Sequence, residues 1–261
     1  MGHLVKILKI GGSVITDKSA SVGVIKKDNI ETIAKELWEN KEAITGKLIL
    51  INGAGSFGHP LVKKYNITKT YTPLAAAKIH NSVKNLNNIF VSSLIAQGIP
   101  AVSVDPISSI VCNNGKIINM QINSITQMLN TKLVPVLYGD IVLDQEKTTH
   151  ILSGDQIATY LAKKLKVSII GAGSSEDGVY YKKNNNKIIK TINNKIFYKI
   201  KKDITGSAHT DVTGGMLGKV TRMLKLKKTT SYIFNATKTG NITAFLQNNW
   251  DNKLCTKITY F

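Results

Sequence analysis

A series of short glycine-rich blocks in this chain carries the residue types that handle anions, and all but the last, which lies in a further loop, close apolar runs. The first is Lys9-Ile10-Gly11-Gly12-Ser13, and the second is Asn52-Gly53-Ala54-Gly55-Ser56-Phe57-Gly58-His59. Gly139-Asp140, Gly171-Ala172-Gly173 and Asp211-Val212-Thr213-Gly214-Gly215-Met216 follow in that order. A backbone without Cβ atoms can approach an anion closely and turn its N–H groups toward it, and a helix that starts there adds its positive end. One such loop says little, whereas several along one sheet edge suggest a site for two phosphate groups. Neither standard phosphate fingerprint fits. Gly53 to Gly58 has the spacing GxGxxG without an acidic residue placed to bind a ribose diol, and GxxxxGK[ST] is absent. Spacing alone leaves two readings open: an anion-binding α/β protein, or glycines that merely turn the chain.

The elements that must position these blocks alternate in type. Short β-branched runs predict strands over Leu4 to Ile10, Leu48 to Asn52, Ala101 to Val104, Val134 to Tyr138, Val167 to Gly171, Ser231 to Asn235 and Lys257 to Phe261. Amphipathic stretches predict helices over Lys27 to Asn40, Leu74 to Gln97, Asn123 to Asn130, Gly154 to Lys164, Gly214 to Lys227 and Asn241 to Gln247. Such alternation reads as βαβ units around a parallel sheet. Two stretches break it: Asp140 to Ile151 reads as a β-hairpin, and Val179 to Thr205 as a Lys/Asn-rich excursion of weak strands and loop.

Composition excludes other classes. With 261 residues, 43% hydrophobic and 20% charged, the chain is too apolar for disorder and lacks the periods of collagen or a coiled coil. Runs such as Leu48 to Ile51 and Leu133 to Leu137 fall far short of the roughly 18 residues of a membrane span, so no membrane partner is expected. Met1 to Ile10 runs straight into Gly11-Gly12 without a signal-peptide pattern, and the expected compartment is the cytoplasm. Cys112 and Cys255 have neither metal-ligand nor redox spacing and are expected as buried thiols.

The charge is the unusual quantity. Lys+Arg 35 against Asp+Glu 16 gives +19, which raises the question of a polyanionic partner. Yet Arg222 is the single arginine, and lysine lacks the planar fork that reads guanine edges. Nucleic acid is therefore not the expected partner. The lysines are spread along the chain among Asn-rich stretches, which fits a solvated surface, with nonspecific anion attraction as the alternative.

Beyond spacing, Leu8 to Lys18 resembles the opening of the amino acid kinase superfamily, and within it the isopentenyl phosphate kinases. The other blocks fall in the same order: Asn52 to Pro60, Tyr138-Gly139-Asp140, Ser153-Gly154-Asp155-Gln156, and Asp211 to Lys219. Related acetylglutamate and uridylate kinases share the glycines but usually lack a histidine at the position of His59, whereas fosfomycin kinases are similar here too. The resemblance implies a three-layer αβα sandwich with a mainly parallel central sheet. It also implies one domain over 1–261, with an acceptor half of about 1–165 and a nucleotide-binding half of about 166–261. The implied reaction is ATP-dependent phosphorylation of isopentenyl phosphate to isopentenyl diphosphate in isoprenoid biosynthesis. A kinase for another small phosphate or phosphonate such as fosfomycin, and a non-catalytic anion- or nucleic-acid-binding protein on the same fold, are the alternatives. A homodimer is the implied assembly.

The resemblance also implies roles residue by residue. Lys9, Lys18, His59, Asp155 and Lys219 are the implied catalytic group. Lys9 would neutralise the transferred phosphoryl oxygens and Lys219 the ATP phosphates, with Asp155 holding the lysines, Lys18 beside the transferred group and His59 on the acceptor phosphate. The acceptor would be bound by Gly53, Ala54, Gly55, Gly58, His59, Gly139, Leu152 and Gly154. The nucleotide would be bound by Lys9, Gly11, Gly12, Ser13, Gly55, Ser174, Ser175, Asp177, Gly178, Gly215, Met216 and Lys219. Mg2+ would arrive with ATP, held mainly by phosphates and water, with no protein metal ligands. Ile79, Val83, Leu86 and Phe90 form one helical stripe that is either core or the wall of a tail pocket, and Leu152 and Ile141 are further candidates for that wall. One departure stands out: Ser174-Ser175-Glu176-Asp177-Gly178 replaces the usual Thr-Asp-Val-Asp-Gly, so the first acid of that motif is missing.

Overall fold

In the computed structural model, which describes residues 5–17, 23–181, 187–204, 215–251 and 253–261, the apolar runs become the inner strands of one large sheet. The strands are β1 (Lys6–Ile10), β2 (Leu48–Asn52), β3 (Ala101–Ser103), β4 (Ile110–Asn113), β5 (Lys116–Met120), β6 (Val134–Tyr138) and β7 (Asp140–Asp144). They continue as β8 (Thr148–Leu152), β9 (Ile169–Ser174), β10 (Tyr180–Tyr181), β11 (Lys187–Ile188), β12 (Thr191–Ile192), β13 (Thr230–Asn235) and β14 (Cys255–Ile258). The helices are α1 (Gly12–Ile15), α2 (Lys27–Glu39), α3 (Lys41–Ile44), α4 (Gly55–Tyr65), α5 (Pro73–Ala96) and α6 (Pro106–Ser109). After them come α7 (Ile122–Asn130), α8 (Gly154–Lys164), α9 (Asn194–Ile200), α10 (Gly215–Leu224) and α11 (Asn241–Gln247).

The large sheet has the order β12-β14-β13-β9-β1-β2-β6-β3. From β13 to β3 all strands are parallel, and β14 and β12 run the other way at one edge. Alternate residues of each strand point to opposite faces. Ile7, Ile49 and Ile170 pack on one face with α7, α8 and α10, and Leu8, Leu50 and Phe234 pack on the other with α2, α5 and α11. The expected three-layer αβα sandwich is borne out. Strand β2 is buried at every position, as a parallel strand covered on both faces must be, and this is why it reads as an unbroken apolar run.

A smaller sheet, β5-β4-β7-β8, stands beside the large one. Its β7–β8 part is the expected hairpin, with Asp140 opposite Leu152 and Ile141 opposite Ile151. Its β4–β5 part was not anticipated, although Asn114 and Gly115 at φ 46° and 77° supply the turn that an Asn-Gly pair favours. The 179–205 excursion contains α9 besides its short strands, started by Asn193, whose side chain accepts from the Ile196 N–H at 2.9 Å. Among the described residues, no helix is long and apolar enough to cross a membrane.

One glycine block takes a different place from the one expected. Gly171-Ala172-Gly173 lies inside β9, which runs on to Ser174, rather than past the strand end. The reason is packing against α11. A Cβ on Gly171 would lie 2.8 Å from the Phe245 ring, and one on Gly173 would lie 2.7 Å from Ala236 Cβ. Phe245 is fully buried and stacked against Phe234 at 5.8 Å, so it has nowhere to go. Gly171→Ala should therefore cost about 1–3 kcal/mol of stability through overpacking. Urea unfolding checks this, and the midpoint should fall while the slope stays constant.

Candidate active site

The parallel strands deliver their loops to one edge, where a cleft of about 670 Å³ opens. Two loops meet at its floor. A Cβ on Gly12 would lie 2.3 Å from the Gly55 N, and one on Gly53 would lie 2.4 Å from the Gly12 N. The turns after β1 and β2 thus touch backbone to backbone, and only glycine permits it. The Gly53 N–H donates to the Ile10 carbonyl at 2.8 Å and the Gly11 N–H to that of Gly173 at 2.8 Å, which ties three neighbouring strand ends together.

Helix α4, which the sequence reading treated as loop, begins in this nest and carries His59 and Val62 into the cleft, three residues apart on one face. Pro60 sits inside it and cannot donate to the carbonyl of Ser56, which accepts the Gly23 N–H at 3.4 Å instead. His59 is half-buried.

Above the nest stand the charged groups. Lys9, from the end of β1, reaches Asp155 in the first turn of α8, with Nζ to Oδ1 at 3.3 Å and both side chains nearly buried. Helix α8 is started by a capping box, in which the Ser153 hydroxyl accepts from the Gln156 N–H while the Gln156 side chain accepts from the Ser153 N–H. Burial pushes the Asp155 carboxyl up. The charges of Lys9, Lys219 and Arg222 outweigh that and hold it below its ordinary value, as a carboxylate. Lys219, on α10, is buried and lines the same cleft.

The cleft has a second character at its other end. Val62, Ile79, Val83, Ile151 and Leu152 line it there, while Leu86, Phe90 and Ile141 from the anticipated wall are packed fully into the core. On its far flank lie Ser174, Ser175, Glu176, Gly178 and Tyr180. Ser13 and Ser175 face each other across the gap, Oγ to Oγ 3.3 Å. Asp177 turns away, bonding Asn235 at 3.1 Å and pairing with Lys238 at 2.7 Å.

Of the sequence-derived site residues, Lys9, Gly11, Gly12, Ser13, Gly53, Ala54, Gly55, Gly58, His59, Gly139, Leu152, Gly154 and Asp155 all line this one cleft, as do Ser174, Ser175, Gly178, Gly215, Met216 and Lys219. Asp177 does not line it, and Lys18 and the Asp211 to Gly214 part of the late motif lie outside the described residues. Sequence reasoning missed Asp140, Tyr180, Val62 and Ile151 as lining residues. Asp140 stood inside a quoted block and was within reach, whereas Val62 required knowing that α4 exists. Cys112 and Cys255 are free, and burial pushes each thiol up to about 11, which leaves them inert at neutral pH.

Residues 5–235 match the model of the amino acid kinase family. The chain belongs to that family. As a member of it, the chain is a phosphotransferase. It is 38% identical over 258 residues to the isopentenyl phosphate kinase of Methanocaldococcus jannaschii, covering 92% of this chain and 94% of that protein. It is 36% identical over 249 residues to the isopentenyl phosphate kinase of Methanothermobacter thermautotrophicus, covering 90% and 92%. A solved isopentenyl phosphate kinase structure superposes on this amino acid kinase with a TM-score of 0.81 at 32% identity, covering 97% of this chain and all of that one.

The donor set of the cleft suits polyphosphate: bare backbone at the glycine loops, two buried lysines, and no bulk where a phosphate must approach. Among the described residues, no group of three His, Cys, Asp or Glu side chains could hold a metal ion.

Asp155→Asn tests the electrostatics of this amino acid kinase. It leaves two buried lysines without their counter-charge, and the turnover number should fall by about 10²–10³-fold. The folded carboxyl lies below its ordinary value, so its stabilisation is present at neutral pH and is lost as pH falls through the carboxylate range. The gap in urea stability between wild type and Asp155→Asn should accordingly stay constant above about pH 5 and close progressively as pH falls below it through the lowered carboxyl range.

Proposed function

We propose that this protein transfers the γ-phosphoryl group of ATP to isopentenyl phosphate, giving isopentenyl diphosphate and ADP. The observation that carries the reading is the double character of one cleft: the anion end, built from Lys9, Lys219 and the glycine nest, opens directly into an apolar end. A small phosphate with a hydrocarbon tail complements both ends at once. The names of the two archaeal relatives support the same acceptor.

An oxygen of the acceptor phosphate attacks the γ-phosphorus, a new P–O bond forms in line, and the bond to the β-phosphate oxygen breaks with its electrons leaving on ADP. The attacking oxygen is already ionised, so no strong base is required, and catalysis is mostly positioning and cancellation of charge. Lys9 neutralises the transferred phosphoryl oxygens and Lys219 those of ATP, while Asp155 keeps both ammonium groups in place. His59 holds the acceptor phosphate, as do the N–H groups of the Gly53 to Gly58 turn, with Gly139, Leu152 and Gly154 completing that side. Lys18 is assigned beside the transferred group. Gly11, Gly12, Ser13, Gly215 and Met216 border the donor phosphates, and Ser174, Ser175 and Gly178 the rest of the nucleotide. Asp177 acts on the nucleotide flank through Asn235 and Lys238. Mg2+ accompanies ATP and neutralises charge on its phosphates, held by phosphate oxygens and water. In this reading the acceptor occupies the half of the single domain before about residue 165 and the nucleotide the half after it. The protein acts in solution as a homodimer in the cytoplasm.

ADP release with Mg-ATP and isopentenyl phosphate, dimethylallyl phosphate, fosfomycin or acetylglutamate tests the reading. Turnover is expected with the two isoprenoid phosphates. Lys9→Ala should lower the turnover number by about 10²–10³-fold, and His59→Ala should raise the acceptor KM about tenfold while leaving the KM for ATP within twofold. Turnover of fosfomycin with silence on both isoprenoid phosphates would replace the acceptor assigned here.

A further inference from the structure

Helix α5 carries an apolar stripe, Ile79, Val83, Leu86 and Phe90, yet it also spends polar side chains on the protein interior. Asn87 is fully buried, and its Nδ2 donates to Asn52 Oδ1 at 2.8 Å, at the last residue of β2. Three residues earlier, Lys84 donates to Asp105, just past β3. One further turn back, His80 Nδ1 lies 2.9 Å from Asp140 Oδ2, just past β6. The helix is thus stitched to the carboxyl ends of three neighbouring strands, one bond per turn. Asp105 in turn accepts from Tyr138 Oη at 3.0 Å and from Ser103 Oγ at 3.2 Å.

The last stitch differs from the others because its acceptor lines the cleft. The Asp140 side chain has no solvent exposure, and its second oxygen accepts the Ile141 N–H at 2.8 Å. Burial pushes the Asp140 carboxyl up, and His80, itself raised by its bond to Asp140, counteracts this. A carboxylate so buried is tolerable only with its partner, and removing one member of such a pair is costly. The location matters as much as the energy. His80 adjoins Ile79, which with Val83 forms the α5 wall of the apolar end. Asp140 is paired with Leu152, which with Ile151 forms the opposite wall. His80 does not line the cleft, so it cannot serve as a base for the acceptor.

We infer that the His80–Asp140 pair is a positioning device that clamps the α5 wall to the β7–β8 wall, fixes the width of the apolar end, and thereby sets which hydrocarbon tails the acceptor can carry. The inference rests on the acceptor reading above. In it the pair touches no reacting atom, and its effect appears in acceptor selection rather than in the chemical step.

The test uses the full chain with Mg-ATP and two acceptors, isopentenyl phosphate and the longer geranyl phosphate. In His80→Ala the KM for isopentenyl phosphate should rise about tenfold, with its turnover number and the KM for ATP within twofold. The kcat/KM ratio of geranyl to isopentenyl phosphate should rise by about tenfold or more, the scale on which a pocket of altered width discriminates hydrocarbon. His80→Asn, which returns an N–H near the position of Nδ1, should bring the ratio back to within about threefold of wild type. Asp140→Asn removes the buried charge and weakens the clamp, so it should shift the ratio in the same direction by a smaller factor, a result that does not depend on His80→Ala folding. An unchanged ratio in both His80→Ala and Asp140→Asn, or an equal loss of turnover with both acceptors, would overturn the clamp while leaving the acceptor assignment intact. Failure of the wild type to phosphorylate isopentenyl phosphate would overturn the acceptor reading and the inference built on it.

Discussion

The buried contact between Lys9 and Asp155 is the interaction on which the rest of the site depends. A lysine at the end of a central strand would be a poor choice for stability alone, because bringing an ammonium group out of water costs more than one ion pair returns. The structure supplies more than one pair. Asp155 sits in the first turn of a capped helix, where the helix dipole favours negative charge, and feels Lys219 and Arg222 as well as Lys9. The result is a carboxylate fixed between cations with an excess of positive charge on the cleft side. That excess is what a dense cluster of phosphate oxygens needs, and the backbone nest beneath it lets those oxygens come close.

The nest explains why the site requires a parallel sheet at all. Strands β9, β1 and β2 run side by side in the same direction, so their outgoing loops emerge together. The hydrogen bonds from Gly11 to Gly173 and from Gly53 to Ile10 continue the ladder by one step past the strands. Beyond that step the chain must turn within a few ångströms of its neighbour, and the near-contact of Gly12 with Gly55 leaves no space for side chains. The same spacing that excludes Cβ atoms is what opens the floor of the cleft to an anion.

Much of this was legible in the sequence. Strands β2 and β6 and helices α8 and α11 were read to the residue, because a strand buried on both faces must be a short unbroken apolar run, and the capping box of α8 announces its start. The lining set was legible because the glycine blocks fall in a known order. What failed to show is equally physical. Helix α4 was hidden by Gly55, Gly58 and Pro60, which local propensity counts against a helix, while the packing of Val62 and the bond from Ser82 to the Phe57 carbonyl hold it. Gly171 and Gly173 read as turn glycines but are strand glycines, since the reason for their small size is Phe245 and Ala236, far away in sequence. The same distance hid His80 and Asp140, sixty residues apart, from any argument based on spacing.

The two ends of the cleft therefore rest on opposite physical strategies. At the anion end, specificity comes from groups that cannot move: backbone N–H groups locked by sheet geometry, and buried charges whose displacement would be costly. The apolar end has no such lock of its own, because hydrocarbon contact is nondirectional and a wall of Ile79, Val83, Ile151 and Leu152 would accept any width at little cost. Directional bonds must come from behind the wall. That is the position of the polar stripe of α5, whose buried Asn87 and half-buried Lys84 and His80 would be an expense in an ordinary core helix but here tie one wall to the strand ends that carry the other. Hydrogen bonds placed behind a greasy surface give it a shape that the surface itself could not hold.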